Sequence, residues 1–321
     1  MKVLILGAGP AGSSCAISLL QAGCHNVTIL DRSEFPRHAP GETLHPGIEV
    51  LLQQLGVWEE VLRLCEIRQK GVEVIRYQVH EKNYYNKEAS WKGLQVIREY
   101  LDQILLKRAE KLGAKVMLGE KAIKLDHQDH FINSIQAGKT QLAADYFVDA
   151  GGRGRWISRQ LGISSERYGE RLIAHYGYYQ DDQPLEMPII AYNKKDGSWL
   201  WQAQIGKETF NWTYVHTDTS LGKDWVHPAL SRKQQLEKYI LDVSWKLNSS
   251  PASGNYIAVG DAAFTTDPST SHGVLKAIMT GIMAASIIVK VGKINLKHAE
   301  YNNWISRWFF SDLYKTRRQV K

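Results

Sequence analysis

Residues 1–31, MKVLILGAGPAGSSCAISLLQAGCHNVTILD, decide the fold class. Residues 3–6 are a short apolar run, as in a parallel strand covered on both faces. From Ser13 the apolar spacing turns helical, and Gly23 is its stop. A second strand over 27–30 ends at Asp31. Strand, helix and strand within about 30 residues make a βαβ unit. At its turn Gly7, Gly9 and Gly12 spell G-x-G-x-x-G. Glycines so placed allow a tight turn, close approach of backbone to a pyrophosphate and helix–strand packing. The helix N-terminus adds free N–H groups and a positive dipole end. Asp31 would accept from a ribose hydroxyl, and its charge argues against a 2′-phosphorylated nucleotide. The alternative is a glycine turn with no ligand.

Outward from this unit, a Pro- and Gly-rich loop covers 36–47, and helical periodicity follows through Leu51, Leu52, Leu55 and Val61. Residues 71–79 read as one strand. An amphipathic helix over 98–112 carries Leu101, Ile104, Leu105, Ala109 and Leu112 on one stripe. A strand over 115–118, a hairpin from 121–125 and 131–136, and a strand over 146–148 ending at Asp149 come next. Between about 170 and 216 alternating aromatic strands, such as AHYGYYQ and SWLWQAQI, signal an antiparallel sheet. A helix is expected over 231–242, then a parallel-type strand over 256–259 ending in Gly260-Asp261. A long apolar helix over 272–289 and an aromatic helical tail over 296–314 close the chain.

The reading is therefore α/β with an α+β second domain: a doubly wound Rossmann-type domain, an inserted antiparallel-sheet domain and a C-terminal helix. The first comprises 1–71, 91–165 and 251–295, the second 72–90 and 166–250, and the helix 296–321. The sequence has 321 residues, 44% of them hydrophobic and 23% charged, enough for a packed core and incompatible with wholesale disorder. Net charge is +7, with Lys315, Arg317, Arg318 and Lys321 gathered at the end. That suits an anionic cofactor or an acidic partner surface and gives no sign of nucleic-acid binding. No apolar run approaches the ~20 residues of a membrane span, and the apolar start belongs to the glycine unit, not to a signal peptide. Cys15, Cys24 and Cys65 lack metal-ligand spacing and read as reduced thiols, which places the protein in the cytoplasm. No metal site is expected.

Asp149-Ala150-Gly151-Gly152-Arg153 and Gly260-Asp261 each close an expected strand. In a parallel sheet, strand ends on one edge are where ligands collect. Three such sites far apart in sequence suit one long ligand, and FAD is long enough. GAGPAG (7–12), Arg98 in V-I-R-x-x-x-D, VDAGGRGRW (148–156) and VGDAAFTTDPSTSHGVLKAIMTG (259–281) resemble the FAD motifs of the aromatic-hydroxylase and geranylgeranyl-reductase superfamily. PGETLHPGIEVLLQQLGVWEEVL (40–62) is similar to its tryptophan-halogenase-like branch. GSWLWQAQI (197–205), DPSTSHGVLKA (267–277) and YNNWISRWFF (301–310) resemble the flavoproteins that mature tryptophylquinone-dependent glycine and lysine oxidases.

The resemblance implies that Gly7, Gly9, Gly12, Asp31 and Arg32 hold the ADP half of FAD. It places Arg98 near the pyrophosphate and Gly260 and Asp261 at the ribityl–phosphate region, with Pro268 to Gly273 beside the isoalloxazine. Independently, a helix starting near His272 aims its N-terminal N–H groups at the negative charge of reduced flavin. The catalytic candidates are His45, His272 and Trp201. For His272 the alternative is a capping or packing histidine. Trp199 and Trp201 share a strand face, as core aromatics or as walls of an aromatic pocket. Glu42 and His45 lie in a loop that could reach the flavin.

The sequence departs from halogenases twice. Trp199-Leu200-Trp201 continues into Gln202-Ala203-Gln204 instead of the halogenase W-x-W-x-I-P. Arg76, in Ile75-Arg76-Tyr77, falls where halogenases carry a halogen-directing lysine, and an arginine stays protonated. The expected function is an FAD-dependent monooxygenase hydroxylating a tryptophan of a precursor protein during tryptophylquinone maturation. Halogenation, reduction of isoprenoid alkenes and a non-catalytic flavoprotein chaperone are the alternatives. With no second G-x-G-x-x-G, electrons come from transiently bound NAD(P)H or from a separate flavin reductase.

Overall fold

The computed structural model describes residues 1–76, 79–291 and 298–319. The apolar run Lys2–Leu6 is the centre of a six-stranded sheet. The strand order is Ala252–Ser253, Tyr256–Ala258, Tyr146–Asp149, Lys2–Leu6, Asn26–Leu30, Lys115–Met117. All neighbours are parallel except the first pair. Register puts Leu6 beside both Leu30 and Asp149, and Asp149 beside Ala258. Strands far apart in sequence thus end on one line, and Gly7, Asp31, Ala150 and Val259 follow directly from it. This is the doubly wound α/β arrangement.

The helices are α1 (Pro10–Gln21), α2 (Ile48–Leu55), α3 (Trp58–Leu64), α4 (Arg98–Lys111), α5 (Trp156–Gln160), α6 (Gly273–Val291) and α7 (His298–Gln319). The periodic stretch after residue 47 is two helices, because Gly56 at φ 71° ends the first. Helix α6 packs against α1 at Gly281, where a Cβ would lie 2.4 Å from the Ala11 carbonyl oxygen. Residues Gly273–Lys290 are long and apolar enough, by length and composition, to cross a membrane, contrary to the sequence expectation. Lys276, Thr280 and Lys290 break the run in sequence, and Ile278, Ala284 and Ile288 are buried in the core. Helix α7 docks through buried Tyr301, Ile305 and Phe309, and the Tyr301 hydroxyl donates to the Ala258 carbonyl at 2.7 Å. Leu296 and the expected 295/296 boundary lie outside the described residues. So do Lys321 and the side chains of Arg317 and Arg318.

A seven-stranded sheet runs Gln234–Asp242, Ile173–Gln180, Thr209–His216, Trp199–Gln204, Ile189–Tyr192, Gly71–Arg76, Val79–Tyr84. Only Ile189–Tyr192 with Gly71–Arg76 is a parallel pair. The helix expected over 231–242 is instead the edge strand Gln234–Asp242, paired with Ile173–Gln180. Leu236 and Ile240, four apart, imitate a helical stripe, yet both face solvent at 43% and 45% exposure. Pairing overrides propensity there. The single strand expected over 71–79 is two strands, Gly71–Arg76 and Val79–Tyr84, paired as a hairpin. Tyr77 lies outside the described residues.

Candidate functional site

The turn after Lys2–Leu6 is built from backbone. Gly7 has φ 115°, and a Cβ there would sit 2.3 Å from the Ala150 carbonyl oxygen. A Cβ on Gly12 would lie 1.9 Å from the Gly7 oxygen. No side chain caps Gly9 at the start of α1, so the first helical N–H groups face outward. Asp31 is buried; its Oδ2 accepts from Ala8 N at 2.7 Å and its Oδ1 from Ser33 N at 2.9 Å. Each oxygen keeps a lone pair for a further donor. Arg32, next to it, is exposed and does not join the turn.

Arg98 is engaged elsewhere than at the turn. Its Nε and Nη2 each donate to the fully buried Asp102 at 3.0 Å, and Nη1 donates to the Pro40 carbonyl. It therefore ties the 36–47 loop to α4. The guanidinium that stands over the glycine turn belongs to Arg37, which the sequence reading missed. Its Nη2 lies 3.1 Å from where a Gly9 Cβ would be and 3.8 Å from Asp102. Its Nε is buried without a partner. A cradle that side chains would fill, an uncapped helix start and a guanidinium with a partnerless Nε together fit an anionic dinucleotide.

At the end of Tyr256–Ala258, Gly260 has φ 59° and donates its N–H to Thr280 Oγ1 at 2.8 Å. Asp261 faces Lys276 at 2.8 Å and Arg153 at 3.2 Å. Burial raises its carboxyl, but the charges of Lys276, Arg153 and Arg155 override it and hold the pKa at about 2. Pro268 opens a short turn capped by Asp267, whose Oδ1 accepts from Ser269 N at 2.8 Å. Gly273 is the first residue of α6, and the His272 carbonyl accepts from Lys276 N at 2.8 Å, so His272 sits at the helix start.

The two histidines chosen from sequence meet: the rings of His45 and His272 are 5.3 Å apart. Tyr85 at 5.3 Å and Trp91 at 5.2 Å close on His45 edge to face. Burial and the neighbouring His272 push the His45 pKa down to about 4, and burial and Lys315 push His272 down. Both rings are therefore neutral near pH 7. His45 Nδ1 accepts from Gly47 N at 3.1 Å, which assigns its proton to Nε2.

Trp199 and Trp201 are in the core of the second sheet, 4% and 7% exposed, packed with Val74, Ile190 and Val215. Trp201 packs into that core. Trp199 lies beside Asp267 and helps lower its carboxyl, and Ser269 does the same for the Tyr192 hydroxyl, so this face meets the 267–272 turn. Arg76 lies on the Tyr192 ring, 4.9 Å from its centroid. Glu42 is buried and accepts from the Tyr178 hydroxyl; burial raises its carboxyl against that bond. Nothing local marks Tyr85 or Trp91 as site residues, and Tyr178 stands only as one ring of an aromatic strand, because folding alone brings their segments together. Among the described residues no group of three His, Cys, Asp or Glu could hold a metal, and the three cysteines are unpaired.

A family model described as FAD binding domain matches residues 1–293. A 1H-pyrrole-2-carbonyl-(peptidyl-carrier protein) chlorinase of Pseudomonas fluorescens is 23% identical over an alignment of 372 residues, covering 97% of this chain and 83% of that one. A menaquinone reductase of Mycobacterium tuberculosis is 26% identical over 317 residues, covering 89% and 76%. Among solved structures, a peptidyl tryptophan dihydroxylase essential for tryptophylquinone cofactor biogenesis superposes with TM-score 0.74 at 18% identity, covering 96% and 72%. The chain belongs to the FAD-binding-domain family and is an FAD-dependent oxidoreductase.

Proposed function

We propose that this member of the FAD-binding-domain family is a monooxygenase that hydroxylates a tryptophan side chain of a partner protein during tryptophylquinone maturation. Gly7, Gly9, Gly12 and Asp31 hold the ADP half, with Arg37 over the pyrophosphate and Asp261 at the ribityl chain. When bound, FAD supplies the reduction of dioxygen that oxygenation requires. Electrons reach it from NAD(P)H or from a separate flavin reductase.

The observation that carries the reading is the neutral histidine pair walled by Tyr85 and Trp91 beside the start of α6. Aromatic edges and imidazoles suit an electron-rich planar ring such as indole. His45 Nε2 is the atom placed to give or take a proton during ring oxygenation. Arg98 and the Glu42–Tyr178 bond tie down loop 40–47 and so fix the position of His45.

Halogenation is the second reading, supported by the chlorinase relative. Against it stands Arg76, a permanent cation stacked on Tyr192 where an amine is needed. Lys70, the nearest lysine before Arg76 in sequence, is exposed, and the buried Lys276 is taken up by Asp261 and the Phe264 carbonyl. The test is anaerobic reduction of the FAD-loaded protein with a tryptophan-bearing precursor, then oxygen with bromide present, read by peptide mass spectrometry. Oxygen added to one tryptophan is the expected product. Bromine on the ring selects halogenation, and an unmodified precursor rejects both.

A further inference from the structure

Lys276 is 2% exposed, in the first turn of α6. Burying an ammonium costs several kcal/mol unless it is fully paired. Here Nζ donates at 2.8 Å to Asp261 Oδ1 and at 2.8 Å to the Phe264 carbonyl, and lies 4.7 Å from the centroid of the Phe264 ring. It thus fastens both ends of the 261–264 segment to one helix. The second oxygen of Asp261 is held differently. Oδ2 pairs with Arg153, whose side chain is 32% exposed.

We propose that Lys276 is the positioning residue of the FAD site: it locks Oδ1 of Asp261 and leaves Oδ2, shared with Arg153, to accept from a hydroxyl of the FAD ribityl chain. Arg153 is then the displaceable cation and Lys276 the fixed one. The groups facing this pair come from three elements. Arg153 and Arg155 lie on the 152–155 turn, Lys276 on α6, and Asp312, with Lys315 behind it, on α7. On α7, burial raises the Asp312 carboxyl while the charges of Lys315 and Lys276 lower it.

The experiment is fluorescence titration of flavin-free protein with FAD across about pH 5 to 8. Wild type gives a flat profile, because Asp261 stays ionised throughout. Lys276→Gln weakens FAD by about tenfold or more, increasingly as pH falls, since the carboxyl loses its locking charge. Lys276→Arg stays within about threefold of wild type, and so does Arg153→Gln. Lys276→Gln combined with Asp261→Asn binds no more weakly than Asp261→Asn alone, because the lysine acts only through that carboxylate. Unchanged affinity in Lys276→Gln, or additive losses in the double variant, overturns the proposal. Should Lys276→Gln not fold, Arg153→Gln and Lys276→Arg decide. Tight, pH-flat binding in both supports the assignment, and a tenfold loss in Arg153→Gln overturns it.

Discussion

The glycine turn and the histidine cluster are made of different material. The nucleotide end is backbone: glycines at the ends of aligned parallel strands, an uncapped helix and one carboxylate holding the turn. The histidine end is side chain: His45, His272, Tyr85 and Trp91 arrive from three separate segments and touch only by their rings. A turn of glycine backbone tolerates no added atom. A side-chain site tolerates substitution sterically and loses its chemistry at once. Binding should therefore fail at the first end and turnover at the second.

The largest effect is expected from Gly7→Val, which places a branched side chain on the Ala150 carbonyl at a φ that disfavours it. Flavin absorbance of the purified protein should disappear, with the fold weakened by about 3 kcal/mol or more in denaturant titration. Asp102→Asn comes next. It leaves the buried Arg98 guanidinium short of its charge partner, so stability should fall by about 3 kcal/mol. FAD should also bind more weakly as the 36–47 loop and Arg37 loosen.

His45→Gln and His272→Gln should leave flavin content intact and slow oxygenation about 10- to 100-fold in single-turnover assays. These variants sharpen the comparison most, since they fall on the other side of the divide. His45 also has a pH signature. Its folded pKa, about 4, is below the unfolded value, so the unfolded chain takes up the proton first. The neutral ring's contribution to stability is present above about pH 6.5 and is lost as pH falls toward 4. Thermal melts of His45→Gln should show a shallower acid slope than wild type, and an identical slope would contradict the buried neutral assignment. Arg32→Ala is the smallest change: exposed and outside the turn, it should shift FAD affinity and melting within about 0.5 kcal/mol.

The same divide explains what was legible in the sequence. Gly7, Gly9, Gly12 and Asp31 could be read because a local spacing is itself the structure. Arg98 could be read as conspicuous but not as engaged, since Asp102 and Pro40 reach it only through folding. Arg37, in an irregular loop, had no periodicity to mark it. Trp201 stood out by pairing with Trp199, yet that spacing serves the sheet core. The strand Gln234–Asp242 was misread because Leu236 and Ile240 repeat at helical spacing on an open sheet edge. Its partner strand, not its own composition, makes it extended.

The division of labour is tested most directly by the flavin-to-protein ratio of wild type, Gly7→Val and the His45→Gln/His272→Gln double variant, measured by absorbance after gel filtration in FAD. A bound equivalent in wild type and in the histidine variant, with none in the glycine variant, is the expected pattern. A pale histidine variant, or a glycine variant that still carries flavin, would contradict a cofactor held by backbone at one end and worked on by side chains at the other.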